Sequence, residues 1–300
     1  MLHDELCNRI EISGTLVLQS GLHVGSASGG GITNSAVMRD GRGRPFIPGS
    51  SLKGCLRARL EAVAHLLDPD VPVCFLERSD DTLCAGDKRK VAPPLERCLS
   101  TFPDGGKYLS LTAKAEAEQS SDKDSDEEKD PFPTLEACIH HHLCPVCRLL
   151  GGASWRGKLA IDDLALLEAI DPPVDIRDGV GIDRDTRTAV GTVKYDLEAV
   201  PASTRFRFQC TTENLHDADW HLLAMGLRDL EDGNLPLGGK KNRGLGQVQL
   251  LDGMLAFTDF HEPDQAIAYF LQQTPEKQPL AQALKSLAEN LPAFERRHHV

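Results

Sequence analysis

The run STRFRFQCTTENLHDADWHLLAMGLRDLEDGNLPLGGKKNRGLGQVQLL, residues 203–251, changes its hydrophobic period twice. Its first part alternates, with Phe206, Phe208 and Cys210 on one side, which is the period of a strand with one buried face. ADWHLLAMGLRDLED has the wider spacing of an amphipathic helix. A glycine-rich loop follows, and GQVQLL after it reads as a final core strand.

Upstream, IEISGTLVL at residues 10–18 alternates Ile10, Ile12, Leu16 and Leu18 with polar or small residues, again a strand. After a long loop rich in glycine, SSLKGCLRARLEAVAHLL at residues 50–67 reads as a helix. Leu52, Leu56, Leu60 and Val63 share one face, and Ser50 or Ser51 is available as the cap. KLAIDDLAL at residues 158–166 is strand-like, and residues 179–200 have the turn glycines of a hairpin. Two helical patterns near 263–273 and 277–291 close the chain. Strand, loop, helix, strands, strand, helix, strand is an α+β order, and a ferredoxin-like β-α-β-β-α-β sheet is its simplest match. The expected division is a first core segment at 1–67, an insertion at 68–147, a second core segment at 148–252 and a helical tail at 253–300.

The chain has 300 residues, 40% of them hydrophobic, and no apolar run approaches a membrane span of about 20 residues. The N-terminus MLHDELCNRI has no signal-peptide pattern, so a soluble cytoplasmic protein is expected. Nine cysteines, an odd number without secretory context, favour metal binding over disulfides. The formal net charge of −12 argues at first against a nucleic-acid partner. Half of it comes from AEAEQSSDKDSDEEKD, residues 115–130, whose eight acids and two lysines predict a disordered tract within the insertion. The remaining basic residues cluster in glycine-rich loops.

LGGKKNRGLGQ, residues 237–247, holds four glycines beside Lys240, Lys241 and Arg243. Glycine is costly to order, so this density points to positive φ or to a backbone lying close to something. The cations suggest that the something is anionic, such as phosphate. The plainer alternative is a solvated turn before an edge strand.

CIHHHLCPVC places Cys138, His140, His141, His142, Cys144 and Cys147 within ten residues. A Cys-x-x-Cys turn lets two thiolates reach one tetrahedral zinc, so Cys144 and Cys147 are the firm pair. Cys138 and His142 are the nearest completions, with Cys74, Cys84 and Cys98 competing. The alternatives are a redox motif or free thiols. The stretch lacks the His-Glu signature of zinc deaminases, which favours a closed structural zinc that pins the insertion.

Three motifs now stand in fixed order: LHVGSASGGGITNSAVMRDGRGRPFIPGSSLKGCLRARLE, CPVCRLLGG and LGGKKNRGLGQVQL. The chain resembles the RAMP superfamily of CRISPR-associated proteins, and in particular the backbone subunit of type III effector complexes. The resemblance covers about residues 8–252, without residues 68–137 or the tail. It implies an RNA-recognition-like core with a thumb β-hairpin, into which the zinc-containing insertion read from the cysteines would be set. It also implies that copies stack on CRISPR guide RNA beside other effector subunits, with target RNA pairing to the guide. The thumb is expected near 181–199, with Arg184, Thr186 and Arg187 on or beside it. RNA contacts are expected from Gly49, Ser50, Ser51 and Lys53 at a helix N-terminus, from Gly238, Gly239, Lys240, Lys241 and Arg243, and from Arg39 and Arg57 in support. Base pairing would then read sequence while the protein holds backbone and shape, as in another RNA-guided effector.

Active members of the family carry a cleaving aspartate in the first loop and use magnesium or manganese. Aligned through Asp40, Arg39, Met38 and Val37, this chain has Ala36 for the motif's proline and Asn34 for the aspartate. Asparagine cannot act as a base, so no catalytic residue is assigned. Two other readings compete. A stand-alone CRISPR-repeat endoribonuclease would want a catalytic histidine, for which His23 is the candidate in the first loop. A zinc-stabilised protein-binding module without RNA would leave the cationic loops unexplained.

Overall fold

The structure is a computed structural model that describes residues 6–26, 35–64, 73, 143–152, 156–273 and 275–290. The acidic tract, Asn34, Cys138 and His142 lie outside the described residues. The central strand β1, Asn8–Leu18, pairs antiparallel with β7, Arg205–Glu213, on one side and with β8, Val248–Asp259, on the other. β3, Leu159–Ile161, flanks β7, and β9, Lys277–Pro279, flanks β8. The order β3-β7-β1-β8-β9 contains the ferredoxin-like sheet with one strand added at its edge.

The alternation in β1 and β7 buries Ile10, Ile12, Leu16, Leu18, Phe206, Phe208 and Cys210 on one face of this sheet. Two helices complete that core. α1, Gly49–Val63, contributes Leu52, Leu56 and Leu60. α3, Asp217–Glu231, contributes Leu222, Leu223, Leu227 and Leu230. The short helix α2, Pro145–Leu150, packs into the same core through Val146, Leu149 and Leu150, so the cysteine turn before it belongs to the sheet's own core. α4, Pro263–Phe270, follows β8, and α5, Leu280–Asn290, seats Leu280 and Leu284 against the sheet.

Four local readings are corrected. The α1 cap is Pro48, with no side-chain capping bond, and Ser50 and Ser51 lie inside the first turn. The helix's leading N–H, that of Gly49, is instead accepted at 2.9 Å by Asp163 Oδ1 from a remote segment. For the same reason KLAIDDLAL is not one strand. It breaks at Asp162 and Asp163, and Leu164–Ala165 (β4) turns away to pair with Phe46–Ile47 (β2). The last core strand runs on past Asp252, whose φ of 53° makes a bulge, so residues 253–259 are sheet rather than tail. The tail is not wholly helical either, because Lys277–Pro279 pairs with β8 before α5 begins.

A separate two-stranded hairpin, β5 (Asp175–Ile182) and β6 (Ala189–Ala199), projects between β4 and β7 in the chain. Its β5 arm starts earlier than the 179 expected for a hairpin here. Leu197 and Ala199 at its base form a small second cluster with Leu245 of the glycine loop.

Candidate nucleic-acid interface

The glycine loop is closed at its neck by Leu237 N–H donating to Gly246 O at 2.8 Å. Gly246 N–H donates to Gly21 O at 2.9 Å and Gly239 N–H to His23 O at 2.8 Å, which ties the loop to the chain just after β1. At Gly238, φ 77°, a Cβ would lie 2.4 Å from His23 O, and at Gly246, φ 87°, 2.1 Å from Leu237 O. Both positions need glycine because the protein's own backbone passes there. The expectation that these glycines make room for a sugar–phosphate chain is corrected at these two places.

The tip of the loop faces outward. Lys240 adopts the left-handed conformation at φ 59°, and Lys241–Arg243 form one 3-10 turn. Lys240, Lys241 and Arg243 are all exposed. Lys240 Nζ and the Arg243 guanidinium lie 5.7 and 5.4 Å from the ring centre of Tyr195 on β6. Lys241 Nζ reaches Cys55 Sγ on α1 at 3.8 Å. The tip therefore bridges α1 and the hairpin. Beside it α1 exposes the small residues Ser50, Gly54 and Ala58, and the exposed Arg59 further along is held by Asp229, so a polyanionic chain can pass close to the start of the helix.

The remaining expected RNA contacts are engaged elsewhere to differing degrees. Gly49 is buried and bonded to Asp163. Ser50 is exposed, and Ser51 N–H donates to Pro48 O at 2.9 Å. Lys53 Nζ donates to Leu159 O at 2.7 Å and covers an outward carbonyl of the edge strand β3. Burial, and then the neighbouring Arg57, push the Lys53 ammonium below the usual lysine range. It lines a cavity of about 570 Å³ with Ser50, Arg9, Arg156 and Lys158. Arg57 turns inward. It donates to Gly151 O, approaches Cys147 Sγ at 3.8 Å and pairs with Glu61 at 3.6 Å. Arg39 pairs with Glu198 of β6 at 3.0 Å and donates to Gly43 O at 3.1 Å.

These contacts clamp the first loop. Glu198 also accepts Val37 N–H at 3.1 Å, and Glu198 N–H donates to Ser35 O at 3.0 Å. His23 is buried, with Nδ1 2.7 Å from Glu198 O and Nε2 3.1 Å from Ser35 Oγ. A carbonyl can only accept, so Nδ1 carries the proton and Nε2 accepts from the serine. Asp40 organises its own turn. It accepts Arg44 N–H and Arg42 N–H and pairs with the Arg44 guanidinium, and the Arg44 backbone bond leads in holding its carboxyl below the usual range.

Arg184, Thr186 and Arg187 all lie on the exposed hairpin turn. Asp183 Oδ1 accepts the N–H groups of Asp185 and Thr186, and Arg187 takes φ 56°. Cys144 and Cys147 are both buried, and Cys144 Sγ accepts Cys147 N–H at 3.3 Å. Two thiols on one tight turn fit half of a tetrahedral zinc site. Among the described residues no group of three metal-ligating side chains forms, and the expected completions Cys138 and His142 fall outside them.

The outward face of the main sheet carries Ser13, Thr15 and Val17 on β1 and Arg205, Arg207 and Gln209 on β7. None of these six is aromatic, unlike the strand positions on which RNA-recognition sheets stack bases. The role of Tyr195, whose ring faces both Lys240 and Arg243, is not legible in the sequence. Its strand alternates weakly, and nothing local ties VKYDL to a loop some fifty residues on.

Comparison with known proteins gives a stretch of 61 residues, 19% of this chain, that is 43% identical to the CRISPR system Cms endoribonuclease Csm3 of Methanocaldococcus jannaschii. The match spans about a quarter, 24%, of that protein's length. The model of the RAMP superfamily matches residues 15–249, from β1 through both loops and the hairpin to the start of β8. The chain belongs to the RAMP superfamily.

Proposed function

We propose that this chain is a guide-RNA-binding backbone subunit of a type III CRISPR effector complex that positions guide and target RNA for antiviral defence without cutting the target itself. The observation that carries the reading is the exposed Lys240–Arg243 tip bridging α1 and the hairpin in a RAMP chain. Its partners are guide RNA, target RNA, other effector subunits and further copies of itself. Among the described residues no helix is long and apolar enough to cross a membrane. Native purification tests the proposal: a multi-subunit particle with co-purifying RNA is expected, and an RNA-free monomer would overturn it. The hairpin, with Arg184, Thr186 and Arg187 at its tip, is assigned the role of thumb between paired bases.

A second reading, in which this subunit cleaves RNA with magnesium or manganese, draws support from the word endoribonuclease in the name of the archaeal relative. Asn34 weighs against it, since a neutral amide holds a divalent cation poorly and cannot take a proton. A stand-alone repeat endoribonuclease is disfavoured because both ring nitrogens of His23 are engaged inside the protein. With magnesium or manganese, assembled complex is expected to leave target RNA intact and to gain cleavage with Asn34→Asp. Cleavage by the parent chain, mapped to this subunit, decides for the second reading.

We also assign one structural zinc to Cys144 and Cys147, completed by Cys138 and His142. Elemental analysis should find about one zinc per chain. Cys144→Ala is expected to lose it and to lower the stability of the core by at least the ~1 kcal/mol of the α2 cap that Cys144 supplies. A folded, zinc-free parent removes the assignment.

A further inference from the structure

The cationic tip of the glycine loop has no rigid support of its own. Gly244 follows it at φ 76° with open space around it, and Lys240 and Arg243 have only short local backbone bonds. What meets both side chains is the ring of Tyr195, at 5.7 and 5.4 Å from its centre. The ring is itself fixed. It lies across Gly179 on the partner strand of the hairpin, where a Cβ would come within 2.2 Å of its Cζ. It also packs against Leu197, Ala199 and Leu245, the cluster that joins the hairpin base to the glycine loop.

We propose that Tyr195 is the positioning residue of the RNA grip: its ring holds Lys240 and Arg243 in place and couples the hairpin to the loop. This rests on the RNA-binding reading above. Two long cationic side chains otherwise lose rotamer freedom when they meet phosphate, and a ring that pre-orders them lessens that loss. Coupling is reciprocal, so RNA seated on the tip also steadies the hairpin.

The test changes the ring's electrostatics while keeping its shape. Single-stranded RNA binding by the full chain is measured for Tyr195→Phe and for pentafluorophenylalanine at position 195, each alone and with Lys240→Ala/Arg243→Ala. Phenylalanine, which keeps the π face, should bind like the parent. The fluorinated ring should weaken binding about two- to five-fold with an unchanged melting temperature. In the double-alanine background the fluorinated ring should have no further effect. Equal losses in both backgrounds, or no loss in either, would overturn the positioning role while leaving RNA binding by the cations intact. If the double-alanine change leaves RNA binding unaltered, the RNA reading falls and this inference with it. Bound RNA should also slow hydrogen exchange in residues 175–182 of the parent, and equal slowing with the fluorinated ring would refute the coupling.

Discussion

Asp219→Ala is expected to destabilise the protein by about 3–5 kcal/mol. Asp219 sits in the first turn of α3, fully buried, and pairs with Arg148 of α2 at 2.5 Å and with Lys158 beside β3 at 2.8 Å. Lys158 is buried as well and Arg148 largely so, so removing the carboxylate takes away the counter-charge that two cations in the core share. The same carboxylate accepts His216 N–H at 3.4 Å, so one half of the capping box of α3 is lost too. Burial works against the charge of Asp219, but Arg148 and Lys158 outweigh it and hold the group below the usual carboxylate range. A depressed folded pKa gives stability that is fully present above the unfolded value, about 3.9, and is lost as pH falls through the folded one. Urea unfolding from pH 7 to pH 3 should therefore show a large gap between parent and Asp219→Ala that narrows towards the acid end. A gap below about 1 kcal/mol at pH 7 would place the triad among pairs that contribute little.

This triad also marks the limit of what the sequence made legible. The strands carrying Ile10, Ile12, Leu16 and Leu18, or Phe206, Phe208 and Cys210, announce themselves because each side chain's face is set by its immediate neighbours. The leucines of α1 do the same at helical spacing. Asp163 as the acceptor of the first N–H of α1, Asp219 as the hub of two cations and Tyr195 as the support of the loop depend on partners 61–114 residues away for the two aspartates, and on a different element for the tyrosine. No local period encodes such meetings. The glycine loop was legible as a place of close approach but not as to what approaches. Gly238 and Gly246 meet the protein's own carbonyls, and only the cations of the tip keep the outward role. Asp252 followed by Gly253 read as an end of strand because a bulge and a turn use the same residues.

Lys240→Ala/Lys241→Ala/Arg243→Ala is expected to cost about 50-fold in affinity for single-stranded RNA at 0.15 M salt, and to lower the salt slope by about 2. The figure follows from counterion release, in which each phosphate contact on a single strand contributes about 0.7 to the slope, so three contacts contribute about 2. All three side chains are exposed, and among the described residues none makes an ion pair whose loss would unsettle the fold. Lys241 touches Cys55, and Lys240 and Arg243 touch Tyr195, contacts worth far less than the core beneath them. The melting temperature should therefore stay within a few degrees of the parent. Lys53 and Arg57 behave differently, because Lys53 covers a strand carbonyl and Arg57 ties α1 to the cysteine turn. Their alanine variants should lose stability and show a smaller change in salt slope than the loop variant. The loop variant's loss should be uniform across RNA sequences, since phosphate contacts carry no sequence information. A loss confined to some sequences, or a slope unchanged in the triple variant, would move the RNA path away from the tip and onto the cavity lined by Ser50, Lys53 and Arg156.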